Sequence, residues 1–228
     1  MSSASFLIYG ASGYTGALVA REAARRGLRP VLAGRGPAVR ALADELRLEA
    51  RVFGLEDPAA VRRGLDGQAL VLHCAGPFCH TSAAMATACV ETGAHYLDIT
   101  GEVIVFESLF ARRRLAEQAG VMLLPGVGFD VVPTDCLAAY LKRRLPAATW
   151  LELALLALGR LSRGTLTTMV ENLHRGGLVR RGGILTAVPP GHATRQVDFG
   201  RGPRTVVSIP WGDVSTAFHS TGIPDVTV

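Results

Sequence analysis

Short continuous apolar runs alternate along the first part of the chain with stretches in which apolar residues return every third or fourth position. The runs at 5–10, 29–35, 51–55, 69–75, 95–99 and 121–125 read as strands. The periodic stretches at 15–26, 37–48, 58–65, 80–92, 103–118 and 133–144 read as helices. Runs such as Phe6-Leu7-Ile8-Tyr9 and Ala69-Leu70-Val71-Leu72 lack polar alternation, so both faces of these strands should be buried. Strand and helix in strict alternation predict an α/β fold, a doubly wound (Rossmann) parallel sheet with helices on both faces. This pattern holds over residues 1–146. After Pro146 it changes: 149–158 reads as a long strand, 164–173 as a helix, and 205–209 and 214–218 as further strands. Gln196 to Gly202 has the composition of a hairpin tip. Residues 147–228 therefore form a second, smaller α+β domain serving substrate binding or dimerisation.

The first strand runs into Gly10-Ala11-Ser12-Gly13-Tyr14-Thr15-Gly16 and then a helix. Gly10 permits the tight turn, Gly13 lets backbone approach a pyrophosphate, and Gly16 lets the helix pack on the sheet. The free N–H groups and positive dipole end of that helix then suit phosphate, with Ser12 and Thr15 as hydroxyl donors and Tyr14 beside them. This is a dinucleotide-binding turn with G-x-x-G-x-x-G spacing. An NAD site usually carries Asp or Glu at the end of the second strand. Here Arg35 stands there, and a guanidinium pairs with a 2′-phosphate, so NADP(H) is preferred over NAD(H).

The ends of the later strands carry further candidates. His73-Cys74-Ala75-Gly76-Pro77-Phe78 places small residues where a ribose or ring would lie, making Cys74, Ala75, Gly76 and Pro77 part of the cofactor site. Tyr96-Leu97-Asp98-Ile99-Thr100-Gly101-Glu102 and Pro125-Gly126-Val127-Gly128-Phe129-Asp130 supply carboxylates. Hydride transfer needs a proton donor, and Asp98, Glu102 and Asp130 are the catalytic candidates. Each has a structural alternative: a loop-fixing carboxylate for Asp98, a helix N-terminal charge for Glu102, and a cap of the helix near Pro133 for Asp130. Tyr96 reads as core and His73 as a buried, satisfied histidine. The segment Pro210-Trp211-Gly212-Asp213 completes the set.

Together these motifs resemble the saccharopine dehydrogenase-like oxidoreductases, most nearly the subgroup with the trans-acting enoyl reductases of lipid and polyketide assembly. The resemblance implies NAD(P)-dependent transfer of hydride to or from an enoyl (C=C) or imine (C=N) substrate. It also implies a substrate domain inserted before the last Rossmann elements. Family members run further, so the chain is expected to be shortened at its C-terminus. The alternative reading is a non-catalytic nucleotide-binding or scaffolding protein. N-acetylglutamyl-phosphate reductases open on a similar turn, but no cysteine here has their Gly-Cys-aromatic-Pro-Thr context.

Composition narrows the rest. The chain is 49% hydrophobic and 19% charged, a globular balance, with net charge +5. Lys142 is the only lysine among 24 basic residues, a bias of composition before function. No aromatic residues interleave with the basic clusters at 112–114 and 142–144, so no nucleic-acid partner is expected, and both clusters are placed late in helices. No segment is long and apolar enough for a transmembrane span, and the N-terminus lacks a signal-peptide pattern, so the protein is expected in the cytoplasm. Cys74, Cys79, Cys89 and Cys136 have no metal spacing, and neither metal nor disulfide is expected. A small-molecule or acyl-chain substrate and a homodimer complete the expected partners.

Overall fold

The computed structural model describes residues 5–156 and 176–228. Contacts divide the chain into two units, one of Met1–Thr100 with Glu107–Val127, the other of Gly101–Phe106 with Gly128–Val228.

The first unit is built on a six-stranded parallel sheet. Its strands are β1 (Phe6–Tyr9), β2 (Val31–Gly34), β3 (Ala50–Val52), β4 (Leu70–His73), β5 (His95–Asp98) and β6 (Leu123–Leu124), ordered β3-β2-β1-β4-β5-β6. The order reverses between β1 and β4, the arrangement that opens a dinucleotide crevice at the strand C-termini. Helices α1 (Tyr14–Arg25), α2 (Ala38–Leu46), α3 (Pro58–Gly64) and α4 (Phe78–Thr92) make the crossovers. Ile8, Leu32, Ala11, Ala20, Val39 and Leu42 form one core under α1 and α2. Val71, Tyr96 and Met85 are fully enclosed elsewhere in the unit. Burial of both sheet faces explains why the strands read as unbroken apolar runs.

The stretch expected as one helix over 103–118 is two, α5 (Val103–Phe110) and α6 (Arg113–Ala119). The break falls at the arginine run. Arg112 is the N-cap of α6, so 112–114 opens a helix rather than closing one, against the expected placement. Arg112 Nη1 instead donates to Thr87 Oγ1 (2.9 Å) and the Ala83 carbonyl (3.2 Å). The other basic run, 142–144, does occupy the last turn of α7 (Val132–Arg144).

In the second unit α7 packs on α8 (Asp213–Thr221), and a four-stranded sheet is ordered β7-β12-β8-β9. Its strands are β7 (Trp150–Glu152), β8 (Gly177–Arg181), β9 (Ile184–Val188) and β12 (Asp225–Thr227), parallel between β7 and β12 and antiparallel elsewhere. β10 (Thr194–Asp198) and β11 (Pro203–Val207) make a separate antiparallel hairpin around the expected tip, where Asp198 Oδ1 accepts from Gly200 N and Gly202 N. The unit begins before the boundary expected at 146, because α7 shares its core with α8 and β12 through Ala138, Ala217 and Val226. The strand expected over 149–158 is short, and residues 153–156 belong to no element. Its last two positions and the helix expected over 164–173 lie outside the described residues.

The strand expected at 214–218 is the middle of α8. Val, Ser and Thr suggest a strand by propensity, but Val214 and Ala217, one helical turn apart, are both fully buried. Gly222 in the left-handed region (φ 70°) ends the helix.

Candidate functional site

Strand register builds the first part of the site. Tyr9 pairs with His73, and His73 with Asp98, so the last residues of β1, β4 and β5 form one row across the switch point. The chain beyond each strand then forms a wall of the crevice.

Beyond Tyr9 the glycine turn is tied back by Gly10 N and Ala11 N, which donate to the Ala33 carbonyl (2.8 and 3.1 Å). Gly10 has φ 79°, and a Cβ there would sit 2.9 Å from Ala75, so the turn and the β4 loop touch. At Gly16 a Cβ would lie 2.3 Å from the Gly10 carbonyl oxygen, so only glycine lets α1 start this close. Gly13 differs from both. Its φ is negative, and a Cβ would meet only the Gly10 oxygen, at 3.2 Å. The space over Gly13 is open to a ligand.

The start of α1 is open as well. Gly13 is its N-cap, no side chain caps it, and its first turn has no acid. By contrast, α3 is capped by Asp57, which accepts from Ala59 N at 2.9 Å. Ser12 and Tyr14 are exposed and Thr15 half-buried. Uncapped N–H groups beside open space fit a pyrophosphate. Arg35, at the end of β2, is exposed and paired with no carboxylate among the described residues. Its charge reaches the Tyr9 phenol, which burial and Glu56 push up to about 12 despite it. These residues fit an NADP(H) cofactor, which would be held by the turn at its pyrophosphate and by Arg35 at its 2′-phosphate.

The opposite wall is Cys74-Ala75-Gly76-Pro77. Cys74 N donates to the Tyr9 carbonyl at 2.8 Å, and Gly76 is exposed. Burial pushes the Cys74 thiol up to about 12, with Asp98 adding to the rise, so the thiol stays protonated and is a poor nucleophile. His73 is fully buried and held down to about 3 by that burial. It is not the fully satisfied histidine expected, since its Nδ1 has no partner among the described residues while Nε2 lies 2.9 Å from Thr81 Oγ1.

Asp98 is fully enclosed. Its Oδ1 accepts from Thr100 N (3.0 Å) and Gly126 N (2.8 Å), and its Oδ2 from the Tyr96 hydroxyl (2.7 Å). Those bonds tie the β5 exit to the β6 exit, and Val127 N donates to the Asp98 carbonyl at 2.7 Å. Of its two sequence readings, this geometry favours the loop-fixing carboxylate. Tyr96 is core, as expected.

The other two carboxylates lie in the second unit. Glu102 is buried, with its carbonyl accepting from Val105 N and Phe106 N at the start of α5. Asp130 is surface-exposed, but its carboxylate lies over Gly101, and partial desolvation there raises its pKa above the usual carboxylate value. Trp211 Nε1 donates to the Asp130 carbonyl at 2.8 Å, which ties two of the motifs together. A Cβ on Gly212 would meet Phe106 and Val131 at 2.9 Å. Asp213 follows, fully buried, with no donor to either oxygen among the described residues. The Thr134 hydroxyl on α7 lowers its pKa against the larger rise from burial, and that hydroxyl donates to the Val131 carbonyl (3.0 Å).

Sequence reasoning gave no role to Thr81 or Asp213. The signal for Thr81 was its place in the first turn of α4, where a hydroxyl can reach the carbonyl of the preceding loop. Nothing around Asp213 marked it out, because 214–218 reads as a strand rather than the helix that buries this acid. Among the described residues no group of histidine, cysteine and carboxylate side chains could hold a metal ion, and no helix is long and apolar enough to cross a membrane.

Residues 6–124 match the family described as the saccharopine dehydrogenase NADP binding domain, just over half of the chain. Among curated relatives, a trans-acting enoyl reductase of Mycobacterium ulcerans is 31% identical over 147 residues, covering 60% of this chain and 35% of that protein. A saccharopine dehydrogenase-like oxidoreductase of Arabidopsis thaliana, named as mitochondrial, is 33% identical over 149 residues, covering 57% of this chain and 32% of its own. The chain thus spans about a third of the length of these relatives. Among solved structures, the saccharopine dehydrogenase (L-Glu forming) of Saccharomyces cerevisiae superimposes with a TM-score of 0.70 over 99% of this chain and 54% of that one. At 16% identity this shows the shared fold. The chain therefore belongs to the saccharopine dehydrogenase family, and residues 6–124 are its NADP-binding domain.

Proposed function

We propose that this chain carries the cofactor half of an NADP(H)-dependent oxidoreductase that transfers hydride to or from an enoyl or imine substrate. The open phosphate turn at Gly13, with the exposed Arg35 at the end of β2, paired with no carboxylate among the described residues, is the observation that carries this reading. The bound nicotinamide supplies or accepts the hydride. The chain's own part is to hold that cofactor and to manage a proton. Asp130 is the proton donor we favour over Glu102 and Asp98. It is exposed, partial desolvation raises its pKa above the ordinary carboxylate value so that it holds a proton more readily, and Trp211 fixes its backbone. Asp98 ties the exits of β5 and β6 together through Gly126 and Val127. The second domain, residues 147–228, serves substrate binding or dimerisation. We favour the enoyl class because a relative that is 31% identical is named for that reaction. A small-molecule or acyl-chain substrate, a homodimer, no nucleic-acid partner and a cytoplasmic location complete the proposal.

The test is NADPH consumption with enoyl thioesters and, separately, with an amino acid plus a 2-oxo acid as an imine source. Turnover of one class assigns the substrate. Tight NADPH binding with turnover of neither would instead favour a nucleotide-binding subunit. Asp130→Asn is expected to lower kcat by about 100-fold with NADPH affinity unchanged. An unchanged kcat would remove Asp130 from the chemistry.

Arg35→Asp is expected to weaken NADPH by about 30-fold and to leave NADH within about twofold, since a carboxylate repels the 2′-phosphate that the guanidinium would pair. Equal losses for both, measured by fluorescence titration, would place the 2′-phosphate elsewhere.

A further inference from the structure

The buried His73 lies directly before the loop that forms one wall of the cofactor crevice, and its ring is enclosed by Tyr9, Phe78 and Tyr96 (centroids 5.5, 5.4 and 6.1 Å away). Among the described residues Nε2 meets Thr81 Oγ1, at 2.9 Å. Thr81 Oγ1 in turn lies 2.7 Å from the Ala75 carbonyl and 3.2 Å from the Pro77 carbonyl. Both carbonyls belong to the loop.

A hydroxyl has one proton to give. The shorter contact assigns that proton to Ala75, so toward His73 the hydroxyl is an acceptor. His73 must then carry its proton on Nε2. The other tautomer would force Thr81 to donate into the ring, strip the Ala75 carbonyl of its donor and bury an unpaired Nδ1–H. The unpartnered Nδ1 is the cheaper of these to leave, because it is then a bare lone pair rather than a stranded N–H.

We propose that His73 and Thr81 are positioning residues for the cofactor: the directed chain His73 Nε2–H to Thr81 Oγ1–H to Ala75 O sets the Cys74–Pro77 loop against Gly10. The contact it protects is close. A Cβ on Gly10 would lie 2.9 Å from Ala75 Cβ and from Ala75 N, so a small shift of the loop changes the width of the crevice at the turn. The ring is buried and held near 3, so the chain keeps one direction across the physiological range. This inference rests on the reading of the loop as a cofactor wall.

The test combines binding with a direct reading of the tautomer. Thr81→Val is expected to weaken NADPH by about tenfold and Thr81→Ser to stay within about twofold of wild type, since serine keeps the hydroxyl. In wild-type protein labelled with 15N-histidine, the long-range 1H–15N pattern of His73 is expected to show protonated Nε2 and bare Nδ1, unchanged between pH about 5 and about 8. An Nδ1–H tautomer, a ring titrating at the ordinary histidine value, or wild-type affinity in Thr81→Val would each overturn the proposal. The tautomer measurement needs no variant, so it decides the direction of the chain even if Thr81→Val fails to fold. Wild-type protein that binds no NADPH would be a failure of the cofactor reading, whereas binding that ignores Thr81→Val would be a failure of this inference alone.

Discussion

Gly13→Val is expected to abolish NADPH and NADH binding, a loss on the order of 100-fold or more, while the protein still folds. The contrast among the three turn glycines carries this expectation. At Gly13 the backbone is extended, with φ −75° and ψ 170°, which a β-branched residue adopts without strain. A Cβ there meets only the Gly10 oxygen, at 3.2 Å, and the methyl groups it carries would take up space at the uncapped α1 terminus. A pyrophosphate at that terminus needs the same space, so each prevents the other. About 100-fold corresponds to about 2.8 kcal/mol. Gly16→Ala acts on the fold instead. Its Cβ would sit 2.3 Å from a backbone carbonyl oxygen that cannot swing away, so α1 must move off the turn. Its melting temperature should fall by several degrees, on the order of 2 kcal/mol for a buried backbone clash. Titration and thermal melting of the two variants separate the roles. Wild-type affinity in Gly13→Val would disprove the phosphate turn.

Asp213→Asn is expected to raise the melting temperature at neutral pH by about 5 °C and to give no gain at pH about 4. Asp213 is fully enclosed on α8, and neither oxygen has a donor among the described residues. Burial raises its pKa from 3.8 to about 6, the Thr134 hydroxyl opposes the rise, and Asp135 on the facing helix adds to it. The sign follows from linkage. The unfolded chain releases this proton near 3.8 and the folded chain holds it to about 6. Below 3.8 both states are protonated and the residue costs nothing. Between 3.8 and 6 stability falls as pH rises, and above 6 the full cost is present, about 3 kcal/mol. An uncharged isostere removes that cost, less the penalty of burying its own amide. Equal melting shifts at both pH values would mean that Asp213 is ionised and partnered in the folded protein.

The parallel sheet was legible because its signal was redundant. Each strand was a short apolar run, each connection a helix, and the first turn carried glycines for which the structure gives three separate physical reasons. The loop ends of β1, β2, β4 and β5 followed directly, since strand C-termini at a switch point must line the crevice. What was not legible depended on contacts distant in sequence. Asp98 could cap, fix a loop or donate a proton until Gly126 N and the Tyr96 hydroxyl were seen on its oxygens. His73 looked satisfied because nothing in a sequence reports which ring nitrogen lacks a partner. Val214 to Phe218 looked like a strand because β-branched and hydroxyl residues prefer strands. Packing of Val214 and Ala217 on one helical face overrode that preference.

The central claim is that residues 6–124 hold NADP(H) through the Gly13 turn and Arg35. Its most direct test is a fluorescence titration of the purified chain with NADPH and NADH side by side. Saturable NADPH binding at least about tenfold tighter than NADH is the result predicted here. Equal affinity for the two, or binding of neither, would contradict it.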